Sequence, residues 1–188
     1  DLFLILMNFL KVVSMDGLNH ANLKKAFEYF EATADVGFYA YGGSLEKAYE
    51  NAGLAMFNVI SDTRKIRQKE SRHIEVISED LVSLLYDYLE ELLFLQDTEF
   101  LLFSRFDVEI YKLCDGDIEV SNDELENGES VNDDLKEESS PCSYKLICDA
   151  FGEEINWDIH PRGSEVKAIT FHLMDVKKED GIFILSAI

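Results

Sequence analysis

Apolar and polar residues alternate from Val36 through Phe38 to Ala40, just after an aromatic run at Phe27, Tyr29 and Phe30. This period of two predicts a strand. Asp35 stands at its start, where a rigid element can aim a carboxylate, although the plainer reading of such an Asp is that it closes a turn. Gly42-Gly43 then turns the chain and Ser44 can cap a helix. Its apolar positions, Leu45, Ala48, Tyr49, Ala52, Ala55, Met56, Val59 and Ile60, recur at the three-and-four spacing of one helical face. Ser61-Asp62-Thr63 ends that helix, and a charged stretch from Arg64 to Arg72 leads to a strand at His73, Ile74, Val76 and Ile77. Ser78-Glu79-Asp80 opens a second helix with acids in its first turn and a stripe of Leu81, Leu84, Leu85, Tyr88, Leu89 and Leu92. Strand-like runs follow at Leu101–Leu113, Tyr144–Phe151, Val166–Val176 and Ile182–Ile188. Two helices among six or more strands joined by hairpins predict an α+β fold, a mainly antiparallel sheet with the two helices packed on one face.

The 188 residues are 47% hydrophobic and 12% aromatic, enough to bury a full core in one domain with extras. Charge changes the functional picture. With 17 Lys and Arg against 38 Asp and Glu, the net charge is -21. Affinity for a phosphate backbone rests on cations that release counterions, so tight direct binding of nucleic acid is disfavoured. A basic partner, a metal or simple solubility suits this balance better.

The charge is unevenly spread. Between Asp115 and Ser140 there are 11 acids and one base, Lys136, so 10 of the 21 net negative charges lie there. Such a stretch cannot form a core and predicts a flexible acidic insertion over 115–140 between two paired strands, either a tolerated loop, a calcium buffer or a dock for a partner. Asp115-Gly116-Asp117 with Glu119 lacks the rest of a calcium-loop pattern. Cys114, Cys142 and Cys148 show no metal-ligand spacing and are odd in number, so all three are expected as ordinary thiols in a reducing compartment. Residues 1–26 form an N-terminal extension. Its apolar part, Leu2–Val13, is too short to span a bilayer and is expected to be an amphipathic helix packed on the domain. No membrane association is predicted.

Several motifs in order point further: Thr33-Ala34-Asp35-Val36, Ser44-Leu45-Glu46-Lys47-Ala48-Tyr49, Met56-Phe57, and His160-Pro161 followed by Gly163 and Glu165-Val166-Lys167-Ala168-Ile169-Thr170, then a short terminal strand. Over residues 27–188 this order resembles the archease family, small acidic proteins that assist the RtcB-type RNA ligase in tRNA splicing. The resemblance implies a strand-helix-strand-strand module and a cytoplasmic or nuclear, non-catalytic accessory factor whose partner is that ligase. It would promote metal-dependent guanylylation and multiple turnover.

It also implies a site. Asp35 matches the family's motif acid, and with the C-terminal carboxylate of Ile188 it is the implied ligand set for a divalent metal, calcium or manganese. The family carries an acid just before its terminal Ile, whereas this chain has Ala187 there. Losing a carboxylate removes both a ligand and a charge, so metal binding is expected to be weakened. Lys167 matches a lysine expected near that acidic site, and His172 is a weaker candidate for partner contact. The chain shows no Gly-rich phosphate loop, Cys-His pair or Ser-His-Asp constellation, which leaves an independent enzyme, such as a metal-dependent phosphoryl transferase, with least support. The competing reading is an acidic interaction module that binds a basic partner through 115–140.

Overall fold

The computed structural model describes residues 25–32, 35–114 and 142–188. The N-terminal extension to residue 24, Thr33-Ala34 and the acidic insertion 115–140 lie outside the described residues. In chain order the elements are β1 (Phe27–Ala32), β2 (Asp35–Gly42), α1 (Leu45–Ile60), β3 (Glu70–Ser78), α2 (Leu81–Glu99), β4 (Leu101–Cys114), β5 (Cys142–Glu154), β6 (Asp175–Glu179) and β7 (Ile182–Ala187). The strands divide between two antiparallel sheets, ordered β1-β2-β7-β6 and β3-β5-β4. The α+β class, the two helices and the antiparallel pairing agree with the sequence; the division into two sheets is new.

Both helices begin where side-chain oxygens meet otherwise unpaired backbone donors. Ser44 Oγ accepts from the Lys47 N–H and Asp80 Oδ1 from the Ser83 N–H. The buried face of α1 (Ala48, Tyr49, Ala52, Ala55, Met56, Phe57, Ile60) is the face that the periodicity marks, and α1 packs on β2 and β7 of one sheet and on β4 of the other. Helix α2 contributes Leu84, Leu85, Tyr88, Leu89 and Leu92 to the same core and lies against β3, β4 and β5. At the centre, the Phe57 ring meets Phe103 edge-on at 5.3 Å and lies 5.9 Å from Phe106. Arg105 and Asp107, which interrupt the apolar alternation of β4, pair with each other on the solvent side after a shift of register at Phe103.

Two expectations are corrected. Val166–Val176 is not a strand: only its last two residues join β6, and 155–174 run as turns and irregular chain. Val166 and Ile169 do pack inward, but Phe171 and Leu173 are exposed, and the backbone N–H groups of 155–174 bond to Phe100, to the end of α1, to Ile188 and within the segment's own turns. The run of apolar residues there mixes core contacts with exposed positions, so it mimics a strand. The hairpin partner of β7 is instead set by Asp180-Gly181, both in the left-handed conformation (φ 49° and 81°) between the paired Glu179 and Ile182. That is the two-residue turn whose twist matches antiparallel strands.

The cysteines are not three thiols. The β4–β5 register places Cys114 directly opposite Cys142, with Cα atoms 4.2 Å apart, and the pair is joined in a disulfide across a sequence separation of 28. Cys148 remains a buried thiol beside Tyr88, and burial pushes it up to about 12. Among the described residues no helix is long and apolar enough to cross a membrane.

Phe57 is fully buried between two sheets, so truncation leaves a cavity that neither sheet can collapse to fill. Phe57→Ala is expected to lower the unfolding free energy by roughly 3–5 kcal/mol, read by urea titration with an unchanged slope.

Candidate functional site

Asp35 is the first residue of β2, and β7 runs antiparallel to β2 with Phe38 opposite Ala187. Ile188 follows Ala187 directly, just past the end of β7. The C-terminal carboxylate therefore ends beside the start of β2, where Asp35 stands. A backbone N–H from Thr170 donates to the terminal Ile188 oxygen at 3.2 Å. Asp35, Ala187 and Ile188 form one wall of a cleft of about 490 Å³, Met56 and Val59 of α1 line its floor, and the 164–170 segment forms the opposite wall.

That opposite wall is held by bonds that alternation alone would not reveal. Gly163 and Ser164 donate their N–H groups to the carbonyls of Ile60 and Val59, both at 2.8 Å, so the loop satisfies orphan acceptors at the end of α1. Ser61 Oγ donates to the Pro161 carbonyl. The approach is so close that a Cβ on Gly163 would lie 2.1 Å from the Val59 oxygen. One residue earlier, His160 is buried: its Nδ1 accepts from the Asn156 N–H, which leaves Nε2 to donate to Glu153 Oε1 at 3.1 Å.

Glu153 is a buried carboxylate with four donors. Besides His160, it receives the Arg67 N–H at 2.8 Å, the Arg67 side chain and the Lys69 ammonium at 2.8 Å. Burial pushes its carboxyl up, but the bonds from Lys69, Arg67 and His160 together outweigh burial and hold it well below its ordinary 4.5. A second cleft of about 570 Å³ lies over this network between Arg67, Lys69 and Trp157, and Glu153 engages both of its cations.

The structure brings Asp35, Ile188, Ala187 and Lys167 to one cleft. Lys167 is not a lysine within an apolar strand. It projects from irregular chain, four-fifths exposed, 3.8 Å from the equally exposed Glu165. His172 does not line the cleft; it is exposed on the turn that follows. Sequence reasoning missed Glu165 as a cleft residue and gave Gly163 and Ser164 no role. Gly163 within His-Pro-x-Gly was the available signal.

The donors in the cleft are hard oxygens, which suit a calcium- or manganese-type cation. They are few. Ala187 is buried against this wall and supplies a methyl group where an acid would add a carboxylate, and among the described residues no three His, Cys, Asp or Glu side chains are arranged to hold a metal.

The model of the Archease protein family matches residues 27–188. The protein archease of Methanothermobacter thermautotrophicus is 46% identical over 158 residues, covering 84% of this chain and 93% of the relative. That of Pyrococcus abyssi is 40% identical over 154 residues, covering 82% and 89%. The solution structure of Methanobacterium thermoautotrophicum protein 1598 superposes with a TM-score of 0.63 at 44% identity, covering 87% of this chain and 96% of that one.

Two outcomes follow from the loop that builds the cleft. Gly163→Ala is expected to cost about 1–3 kcal/mol in urea unfolding, because the new methyl meets a helix carbonyl that cannot yield freely. Glu153 has a folded-state pKa below its unfolded value, so its stabilisation is present above about pH 4.5 and is lost as the pH falls below that. Glu153→Gln should therefore be less stable than wild type at about pH 7, with the gap in thermal midpoint narrowing as the pH falls towards about 3.

Proposed function

The chain belongs to the archease family, and from that premise we propose that it is a non-catalytic accessory factor of an RtcB-type RNA ligase, promoting metal-dependent guanylylation and repeated turnover in tRNA splicing. The observation that carries this reading is the convergence of Asp35 and the C-terminal carboxylate at the mouth of one cleft, although they come from opposite ends of the domain. A carboxylate-bearing tip on a chain of net charge -21 is electrostatically complementary to a cationic, phosphate-handling active site.

Asp35 and the Ile188 carboxylate would hold a divalent cation, calcium or manganese, in this site. Such a cation, when bound, neutralises and positions phosphate oxygens. The residues themselves have separable roles. The β2–β7 pairing holds the two carboxylates in place. The Thr170 N–H orients the terminal group, and Lys167, solvent-facing on the opposite wall, offers an ammonium to a phosphate or to the carboxylates. Ala187 weakens the site by leaving two carboxylates where three would stand.

The test is multiple-turnover RNA ligation by an RtcB-type ligase with and without the chain. Asp35→Asn is expected to lower stimulation, and Ala187→Asp to raise it by restoring a charged ligand. Stimulation unchanged by Asp35→Asn would overturn the carboxylate-tip reading. Deletion of 115–140 should leave stimulation intact; its loss would favour the acidic module that binds through the insertion.

A further inference from the structure

Strand β5 is shared unequally between its two neighbours. Its pairing with β3 stops at Tyr144 opposite Ser78, whereas its pairing with β4 runs on through Ser143 opposite Leu113 to Cys142 opposite Cys114. The last two rungs of the β4–β5 ribbon therefore project beyond the three-stranded part of the sheet. A ribbon of two strands with no third beside it is only marginally stable in water. The disulfide occupies the final rung and holds that end shut, with the Cα atoms 4.2 Å apart.

This position sets it apart from the contacts that hold the domain together. Neither cysteine belongs to the hydrophobic core, both are partly exposed, and Tyr111 and Leu113 beside them are exposed. Further along the same ladder, Val108 opposite Cys148 and Phe106 opposite Ala150 are buried in the core and flanked by β3. Those rungs are fixed by packing whether or not the sulfurs are joined. Cys148 supplies an internal contrast, since burial both shields it from reagents and keeps it protonated. The bond also sets the distance between the two points at which the acidic segment 115–140 joins the domain, because Cys114 and Cys142 bracket it at a separation of 28.

We infer that Cys114–Cys142 is a redox-exchangeable clasp and not a structural staple: a dithiol reductant opens it in the folded protein and frees the last rungs of the ribbon, from which the acidic segment departs. The rest of the fold stays in place. So does the carboxylate cleft, which belongs to β2 and β7 of the other sheet. In the exchange a thiolate of the reductant attacks one cysteine sulfur, the S–S bond breaks, and the other sulfur leaves as a thiolate. The reductant's second thiolate then attacks the mixed disulfide and releases the first cysteine. The reductant loses two electrons in forming its own disulfide, and its two protons end on the Cys114 and Cys142 thiols.

The experiment treats the air-oxidised full chain with dithiothreitol at neutral pH without denaturant, alkylates the thiols with iodoacetamide and maps them by mass spectrometry. Before reduction neither Cys114 nor Cys142 should be alkylated. After it both should be, with Cys148 unlabelled and the circular dichroism spectrum unchanged. Amide exchange should rise about tenfold at the Leu113–Ser143 end of the ribbon and stay the same around Val108 and Cys148. The double variant Cys114→Ser, Cys142→Ser should fold and show the same faster exchange without reductant. Three results would each overturn the clasp: a bond that resists dithiothreitol until urea unfolds the chain, labelling of Cys148 together with the pair, or a double variant that does not fold. Alkylation of both cysteines in the air-oxidised protein would overturn it as well, since no bond would then be there to exchange.

Discussion

The buried carboxylate of Glu153 is the interaction on which the functional end of the molecule depends. An unpaired charge in that position would be untenable, and it is held because four donors converge on it from the segment before β3 and from His160. Satisfying that charge fixes His160, and fixing His160 delivers Pro161, Gly163 and Ser164 to the exposed carbonyls at the end of α1. The His-Pro-x-Gly stretch is therefore structural in its first half and leads directly into the cleft wall in its second. Replacing one donor would loosen a wall that the donor does not touch.

The opposite wall has a different origin. It is made by strand pairing: β7 inserts between β2 and β6, so the last residues of the chain lie beside some of the first described ones. The terminal carboxylate becomes a side-chain-like group whose position is set by the ladder and by one backbone donor. The same ladder places Ala187 with its methyl against Phe38 on the core side, which joins the packing of the wall to the ligand set it lacks.

These two walls meet over α1, which packs on both sheets. Its small and aromatic residues accept β2 and β7 on one side and β4 on the other, so core packing and site geometry share one helix. The turn at Phe171 then continues the cleft outward, held by Ser186 and by Tyr86 of α2. Rigid elements thus carry the carboxylates, and only exposed groups such as Lys167 are free to adapt to a partner.

Much of this was legible in the order of residues. A helix with one buried face must repeat its apolar residues every three to four positions, so α1 could be read with its Ser44 cap and α2 with its stripe, although Asp80 caps α2 where the sequence placed it in the first turn; Asp35 could be placed at a strand start. Asp180-Gly181 carried an equally clear hairpin signal that the apolar run at Val166–Val176 masked. What local pattern could not supply were contacts made across long separations: the Cys114–Cys142 pairing, which depends on a cross-strand register; the capping of α1 by Gly163 and Ser164; and the separation of the strands into two sheets. The sequence by itself determined the helices, most of the strands, the acidic balance and the residues available for a site, because these follow from local periodicity and composition. Only the tertiary structure decided that Asp35 and the Ile188 carboxylate share a cleft, because their meeting depends on β7 pairing beside β2, a choice made by the whole core and not by either segment.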